Sequence, residues 1–250
     1  MDMDGSTIEA SGLLDKHKPS RFQIVALTLC ALCVLMDGFD VQVIGYVAPP
    51  IIHDWRLAKA DVGVVFSAGL LGLVIGTFGL SMLADRMGRR PLLIATTLLL
   101  GIFSIFTALA GSLPELTVLR LLSGLALGSI MPNAMALAGE YSPPRHRVSA
   151  MMVVSLGFTV GAALAGFLCA LLMPQFGWRG VFIIGGIVPL VNVVLMARYL
   201  PESIQFLLAR NRTRAASKWI ERVGQPMPVH ETSTAPQTAA EQWVRLSWAG

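Results

Sequence analysis

Charge is what this chain has little of. Asp, Glu, Lys and Arg make up 14% of its 250 residues against 54% hydrophobic, where a soluble domain carries about a quarter charged residues. So little charge cannot cover a water-facing surface, and the apolar residues gather in runs near the roughly twenty that cross a bilayer. The chain therefore reads as a polytopic integral membrane protein. Cysteine is nearly absent, and three residues exclude a disulfide framework. Cys30 and Cys33 spell C-x-x-C, but inside an apolar run with no βαβ context; small helix-packing residues are the better reading than a redox or metal pair. The histidines (His17, His53, His146 and His230) all fall outside the apolar runs, so no metal ligand cluster and no cofactor are expected. No basic stretch is interleaved with aromatics, and the net charge of +4 reads as membrane topology rather than nucleic-acid binding.

What is present is a series of six apolar segments, approximately 22–49, 62–83, 92–112, 116–139, 150–172 and 180–200. Residues 1–20 are polar and are expected to be a disordered cytoplasmic tail. The first run is too long for a signal-peptide core and should remain as a span. Arg21, Arg86, Arg89, Arg90, Arg145, Arg147 and Arg198 fall on one side of the membrane, and only Arg56, Lys59 and Arg179 on the other. That bias puts both termini in the cytoplasm. After Pro201 the sequence turns polar. Residues 204–223 read as an amphipathic helix on the inner membrane surface, and a Pro-, Ser- and Thr-rich linker runs on to Gly250, before any second bundle. The domain reading is a tail over 1–20, a six-helix bundle over 21–200, and a cytoplasmic helix and linker over 201–250.

The second segment carries Gly69, Gly72, Gly76 and Gly79 on one helical face, and the fifth carries Gly157, Gly161 and Ala165. Such rows let helices approach backbone to backbone. Sliding the chain by about ninety residues aligns Leu83-Ala84-Asp85-Arg86-Met87-Gly88-Arg89-Arg90 with Leu172-Met173-Pro174-Gln175-Phe176-Gly177-Trp178-Arg179. Both joints link the second and third helix of a three-helix unit, on opposite sides of the membrane, as two inverted repeats would.

The other features are judged against Met36-Asp37-Gly38-Phe39-Asp40. Asp37 and Asp40 lie about 24 and 28 Å along a helix from Arg21, at membrane depth, and their i,i+3 spacing puts them on one face. An aspartate at a helix centre costs about 2.5–3.5 kcal/mol. Two readings stand: structural hydrogen bonders facing neighbouring helices, or an ion or proton site on a water-filled path. Arg120 sits about one turn inside the outer end of the fourth segment, on the stripe of Gly124 and Gly128. It either snorkels outward or serves as a permanent cation that attracts a carboxylate substrate or holds an aspartate in its charged form. Asn133 lies about 220° around an ideal helix from Arg120 and joins the same cavity only if Pro132 kinks the helix or the cavity is wide; it is a substrate-binding candidate. The hairpin with Asp85, Arg86, Gly88, Arg89 and Arg90 needs a glycine at the bend and positive charge for orientation. Asp85 could pair with an arginine across the bundle interface and hold one conformation. Glu140 and Arg147 flank a Ser-Pro-Pro turn and are candidates for structural salt bridges.

These motifs carry a resemblance. The hairpin is similar to the G-x-L-A-D-R-x-G-R-R/K signature of major facilitator superfamily transporters, with Ser81 in the leading glycine position. Asp37-Gly38-Phe39-Asp40 resembles the D-G-x-D signature of the aromatic acid:proton symporters within that superfamily. The Arg120–Gly124–Gly128 spacing, Met131-Pro132-Asn133-Ala134, Gly139-Glu140-Tyr141-Ser142-Pro143 with Arg147, and Pro201-Glu202-Ser203 fit the same family. The likeness runs through about residues 20–223. It implies an all-α membrane protein, a six-transmembrane-helix bundle of two inverted three-helix repeats forming half of a major facilitator fold. It further implies a proton-coupled symporter of the cell (inner) membrane that imports aromatic carboxylates such as hydroxybenzoate or benzoate by alternating access. Asp37 and Asp40 would couple protons, and Arg120 would help bind the anion. The implied partners are the aromatic carboxylate, protons, the lipid bilayer and a missing C-terminal six-helix half. The alternatives are a sugar or other organic-acid porter of the same superfamily, and a transport-inactive truncated fragment. A membrane enzyme is more distant, since nucleophile and metal constellations are lacking.

Overall fold

The computed structural model describes residues 21–142, 144–200 and 202–203. The expected tail, and the amphipathic helix and linker after Ser203, lie outside the described residues. In lipid every backbone N–H and C=O must be satisfied within the segment, so an apolar run becomes a helix. The described chain is accordingly helical, without a strand: α1 Arg21–Trp55, α2 Lys59–Met87, α3 Arg89–Leu109, α4 Leu113–Glu140, a 3₁₀ turn Pro144–His146, and α5 Arg147–Tyr199. All five α-helices are long and apolar enough to cross a membrane.

At 53 residues, α5 would run about 80 Å, more than twice the hydrocarbon core. It crosses twice, because Gly177 breaks it with φ 64° and ψ −176°. Residues on both sides of the break return to the same part of α1. A Cβ on Gly157 would lie 2.7 Å from the Ala31 carbonyl oxygen, while Met196 Sδ is 3.2 Å from Cys33 Sγ. At the turn, Trp178 Nε1 donates to Asp54 Oδ2 at 3.0 Å. The fifth and sixth expected segments are thus two arms, α5a (147–176) and α5b (178–199). The first helix also runs on to Trp55, past the expected end at 49, with Pro49 and Pro50 inside it. The carbonyls those prolines leave without a donor belong to Gly45 and Tyr46, both exposed.

Packing follows the glycine rows, and it does so twice in the same way. A Cβ on Gly72 would meet Leu125 N at 2.9 Å and Leu121 C at 3.0 Å, and one on Gly161 would meet Phe39 N at 3.0 Å. The pairs α2·α4 and α5a·α1 are therefore in backbone contact, and no side chain larger than hydrogen fits between them. Gly79, by contrast, faces open space. Gly88 and Gly177, the glycines matched by the repeat, are the two described glycines with positive φ, at 101° and 64°. The third helices of the two units, α3 and α5b, meet at Gly101 and Gly186, where a Cβ on Gly186 would lie 2.7 Å from the Gly101 carbonyl oxygen.

The buried apolar residues form two clusters. One, toward the end bearing Arg89 and Arg90 (the basic end), includes Val34, Leu93, Leu137, Tyr141 and Met196. The other, toward the opposite end, includes Val43, Ile51, Leu116, Trp178 and Phe182. On α1 the first cluster reaches Met36 and the second begins at Phe39. The two aspartates lie at the seam.

Candidate functional site

Because Asp37 and Asp40 are three residues apart on α1, both turn into the bundle, and they are 4% and 6% exposed. Gly38 lies between them, and its missing side chain lets the backbone of Phe158 on α5a close against α1. The cation expected on α4 arrives at the same level. Arg120, 4% exposed, donates through Nη1 to Asp40 Oδ2 at 2.9 Å. Its Nη2 reaches the Thr107 hydroxyl on α3 at 3.0 Å and the Ser123 hydroxyl at 3.4 Å. The ring of Phe182 on α5b lies 4.9 Å from the guanidinium carbon and presents a π-face to the charge. Snorkelling is thereby set aside: the guanidinium turns inward, not toward the membrane surface.

Taking a carboxylate and a guanidinium out of water costs several kcal/mol per ion, and only good geometry with further hydrogen bonds recovers it. Four helices supply that geometry here. The guanidinium is still not saturated, since its buried Nε has no partner among the described residues. Asp40 and Arg120 also border a cavity of about 170 Å³ between α1, α2 and α4, walled by apolar side chains such as Ile44, Phe66, Leu70 and Leu73 and by Gly69 and Gly124. The cavity is apolar apart from this one ion pair on its wall.

The remaining candidates fall elsewhere. Asn133 is buried, and its amide Nδ2 donates to the Ser129 carbonyl of its own helix at 2.7 Å. It is thirteen positions from Arg120 and is not among the cavity's lining residues. Pro132 does disturb the ladder there, since without an N–H it leaves the Gly128 carbonyl short of a donor. The Thr77 hydroxyl of α2 stands 3.0 Å from that oxygen and 2.8 Å from its own Leu73 carbonyl, able to donate to one at a time.

At the basic end, the hairpin anchors α3 onto its neighbours. Two arginines in the first turn of α3 oppose the helix dipole, and acids from elsewhere offset them. Arg89 pairs with Glu140 on α4, whose carboxylate also accepts from the Ser203 hydroxyl at 2.8 Å. The Arg90 N–H donates to Glu202 Oε1 at 3.2 Å, and its Nη2 to the Ala197 carbonyl at 2.7 Å. Gly88 lets the Glu202 carboxylate sit close, since a Cβ there would lie 3.0 Å from both of its oxygens. The Tyr141 hydroxyl donates to the Glu202 carbonyl; burial first, then Glu140 and Glu202, push its phenol pKa up and keep it a donor. The two salt-bridge candidates find separate partners. Glu140 takes Arg89 rather than Arg147, whose Nε donates to the Gly139 carbonyl at 2.8 Å. Arg86 is exposed at the end of α2, and the side chain of Asp85 lies outside the described residues.

Thr107, Ser123, Phe182 and Asn192 belong to these buried networks and were not singled out from the sequence. Asn192 had a visible signal, a lone amide inside an apolar segment. The others are ordinary residues of membrane helices, and only tertiary packing gives them a role.

The family model described as Major Facilitator Superfamily matches residues 30–237. The 4-hydroxybenzoate transporter PcaK of Pseudomonas putida is 39% identical over 210 residues, covering 83% of this chain and 46% of that protein. A gallate transporter of the same organism is 42% identical over 203 residues, covering 81% and 45%. Among solved structures, the proton:xylose symporter XylE superposes with a TM-score of 0.74 at 20% identity, over 90% of this chain and 52% of that one; this is a likeness of fold. The chain spans about half the length of the curated relatives it matches.

Proposed function

This chain belongs to the Major Facilitator Superfamily, and from that premise we propose that it supplies one six-helix half of a proton-coupled importer of aromatic carboxylates. Its multi-pass bundle would sit in the cell membrane with the basic end in the cytoplasm, following the Lys/Arg bias. A second six-helix half would complete the substrate path. Supporting this are the half-length match to relatives named for 4-hydroxybenzoate and gallate and the exposed apolar residues of α2 and α5a, such as Leu70, Val74, Phe78, Met152, Leu156 and Phe167.

The observation that carries the mechanism is the buried Asp40–Arg120 pair beside an apolar cavity. With Asp40 ionised, the guanidinium has its counter-charge and the cavity holds no net charge. When a proton reaches Asp40, the pair becomes a buried, unbalanced cation, which costs several kcal/mol. A substrate carboxylate restores neutrality, and the unpaired Nε of Arg120 marks spare donor capacity for it. The aromatic ring takes the apolar wall. When the carboxylate leaves, Asp40 loses its proton and pairs again with Arg120. Proton and substrate are linked because two carboxylates compete for one guanidinium. Asp37, within electrostatic reach of Asp40, is the second proton-coupling group in this reading.

Uptake of labelled 4-hydroxybenzoate and benzoate tests the proposal, in cells lacking their own aromatic-acid importers. Proton-gradient-dependent accumulation is expected when the chain is co-expressed with the C-terminal half of the PcaK relative, and none from residues 1–250 alone. Accumulation that survives Asp40→Asn at normal membrane abundance would return the aspartates to structural hydrogen bonding.

A further inference from the structure

From the ion pair toward the basic end, the inner face of α1 stays polar. Asp37, Cys33 and Cys30 follow at helical spacing, and all are buried. Cys33 is a meeting point of three helices. Its sulfur lies 3.8 Å from the Thr97 hydroxyl on α3 and 3.2 Å from both Asn192 Nδ2 and Met196 Sδ on α5b. Asp37 stands one turn further along α1 on the same face.

Two buried oxygens have no partner among the described residues: Asp37 Oδ1, one turn along α1 from Cys33, and Asn192 Oδ1, on the amide that meets Cys33. Their side chains are only 4% and 2% exposed. Both atoms are acceptors when the carboxyl is ionised, and neither can satisfy the other. A proton on Asp37 removes that conflict, because the carboxyl becomes a donor and the amide oxygen an acceptor. Simple packing does not account for Asn192, since an aliphatic side chain would fill the place without an orphan oxygen.

We infer that Asp37, Cys33 and Asn192 form a proton-holding site separate from the Asp40–Arg120 pair, in which Asn192 is a positioning residue that receives the Asp37 O–H, directly or through one water. The proton comes from water or from protonated Asp40, forms an O–H bond on Asp37 and leaves by the same kind of transfer; nothing is oxidised or reduced. The titratable groups beside Asp37 on its own helix are Asp40 and Cys33, three and four residues away, and Arg120 on α4 reaches this level paired with Asp40. No titratable residue occurs in α3 after Arg90 or in α5b between Arg179 and Arg198, and α5a between Arg147 and Gly177 has Cys169 alone. The site rests on the transport reading, in which Asp37 is the second proton-coupling group, and adds Cys33 and Asn192 to it; its test needs no substrate.

Infrared difference spectra of the 250-residue chain in lipid nanodiscs, between acid and alkaline buffer, read the carboxyl C=O and cysteine S–H stretches directly. A protonated-carboxyl band is expected that is lost in Asp37→Asn and kept in Asp40→Asn. An S–H band, lost in Cys33→Ala, should shift with the same pH change. Asn192→Val should displace both bands, and Asn192→Thr, its near-isostere with a hydroxyl, should return them toward the wild-type positions. The inference is overturned if Asn192→Val leaves both bands in place, or if Asp37→Asn removes no carboxyl band. Should Asn192→Val not fold, Cys33→Ala decides instead: an unshifted Asp37 band in that folded variant overturns the site equally. Because no substrate is added, failure here removes Asp37 from the coupling reading but leaves the Asp40–Arg120 exchange standing, and failed uptake leaves this site standing.

Discussion

Arg120 holds more of the candidate site together than any other residue, since it touches Asp40, Thr107, Ser123 and Phe182 from three other parts of the bundle and its own helix. Arg120→Met should therefore destabilise the bundle by about 3–5 kcal/mol, because Asp40 is left as an uncompensated buried charge. Asp40→Asn combined with Arg120→Met should recover most of that loss while remaining inactive in coupled uptake. Thermal unfolding in detergent, monitored by circular dichroism, separates the two cases. Equal melting of the single and double variants would mean that the orphaned Asp40 charge costs nothing. Arg120→Lys is a further discriminator. A lysine keeps the charge but lacks the planar fork that reaches Asp40 and the hydroxyls together, so it should retain stability better than Arg120→Met and still weaken substrate binding. Both aspartates and the arginine were legible in the sequence as charges in the wrong solvent. Their pairing was not, because eighty residues separate Asp40 from Arg120 and no local pattern connects them.

Helices and their contacts were the most legible level. Glycine rows in the second and fifth segments mark the faces that do meet α4 and α1, because only a residue without Cβ permits backbone contact. The rows do not say where contact stops. Gly72→Ala should cost about 1–3 kcal/mol, since its Cβ meets the Leu125 and Leu121 backbone, which cannot step aside. Gly79→Ala, seven residues along the same helix, meets nothing within 4 Å and should be neutral or stabilising by up to about 1 kcal/mol. Unfolding of the two variants side by side checks the pair, and similar losses in both would contradict the packing. The double crossing of α5 was legible as two apolar segments, 150–172 and 180–200, joined at the glycine of the internal repeat. The partner of Glu140 was not, since Arg89 lies 51 residues earlier, at the start of the preceding helix, and no local pattern connects the two.

For the molecule as a whole, orientation and coupling are the open properties. The Lys/Arg bias predicts that a thiol introduced by Lys59→Cys reacts with an impermeant maleimide added outside the cell, and one introduced by Arg145→Cys does not. The reverse pattern would invert the bundle. In the proposed mechanism coupling rests on the exchange of carboxylates at Arg120, and the sign of its pH dependence follows from that exchange. If binding a substrate carboxylate requires a proton on Asp40, binding takes up a proton and must strengthen as pH falls, by up to about tenfold per pH unit. The measurement is 4-hydroxybenzoate affinity by calorimetry on the chain assembled with the C-terminal half of the PcaK relative, at pH values above the ligand's own carboxyl titration. The predicted result is affinity that rises as pH falls in the wild type and is flat in Asp40→Asn. Affinity independent of pH in both, or rising with pH in the wild type, would contradict the exchange.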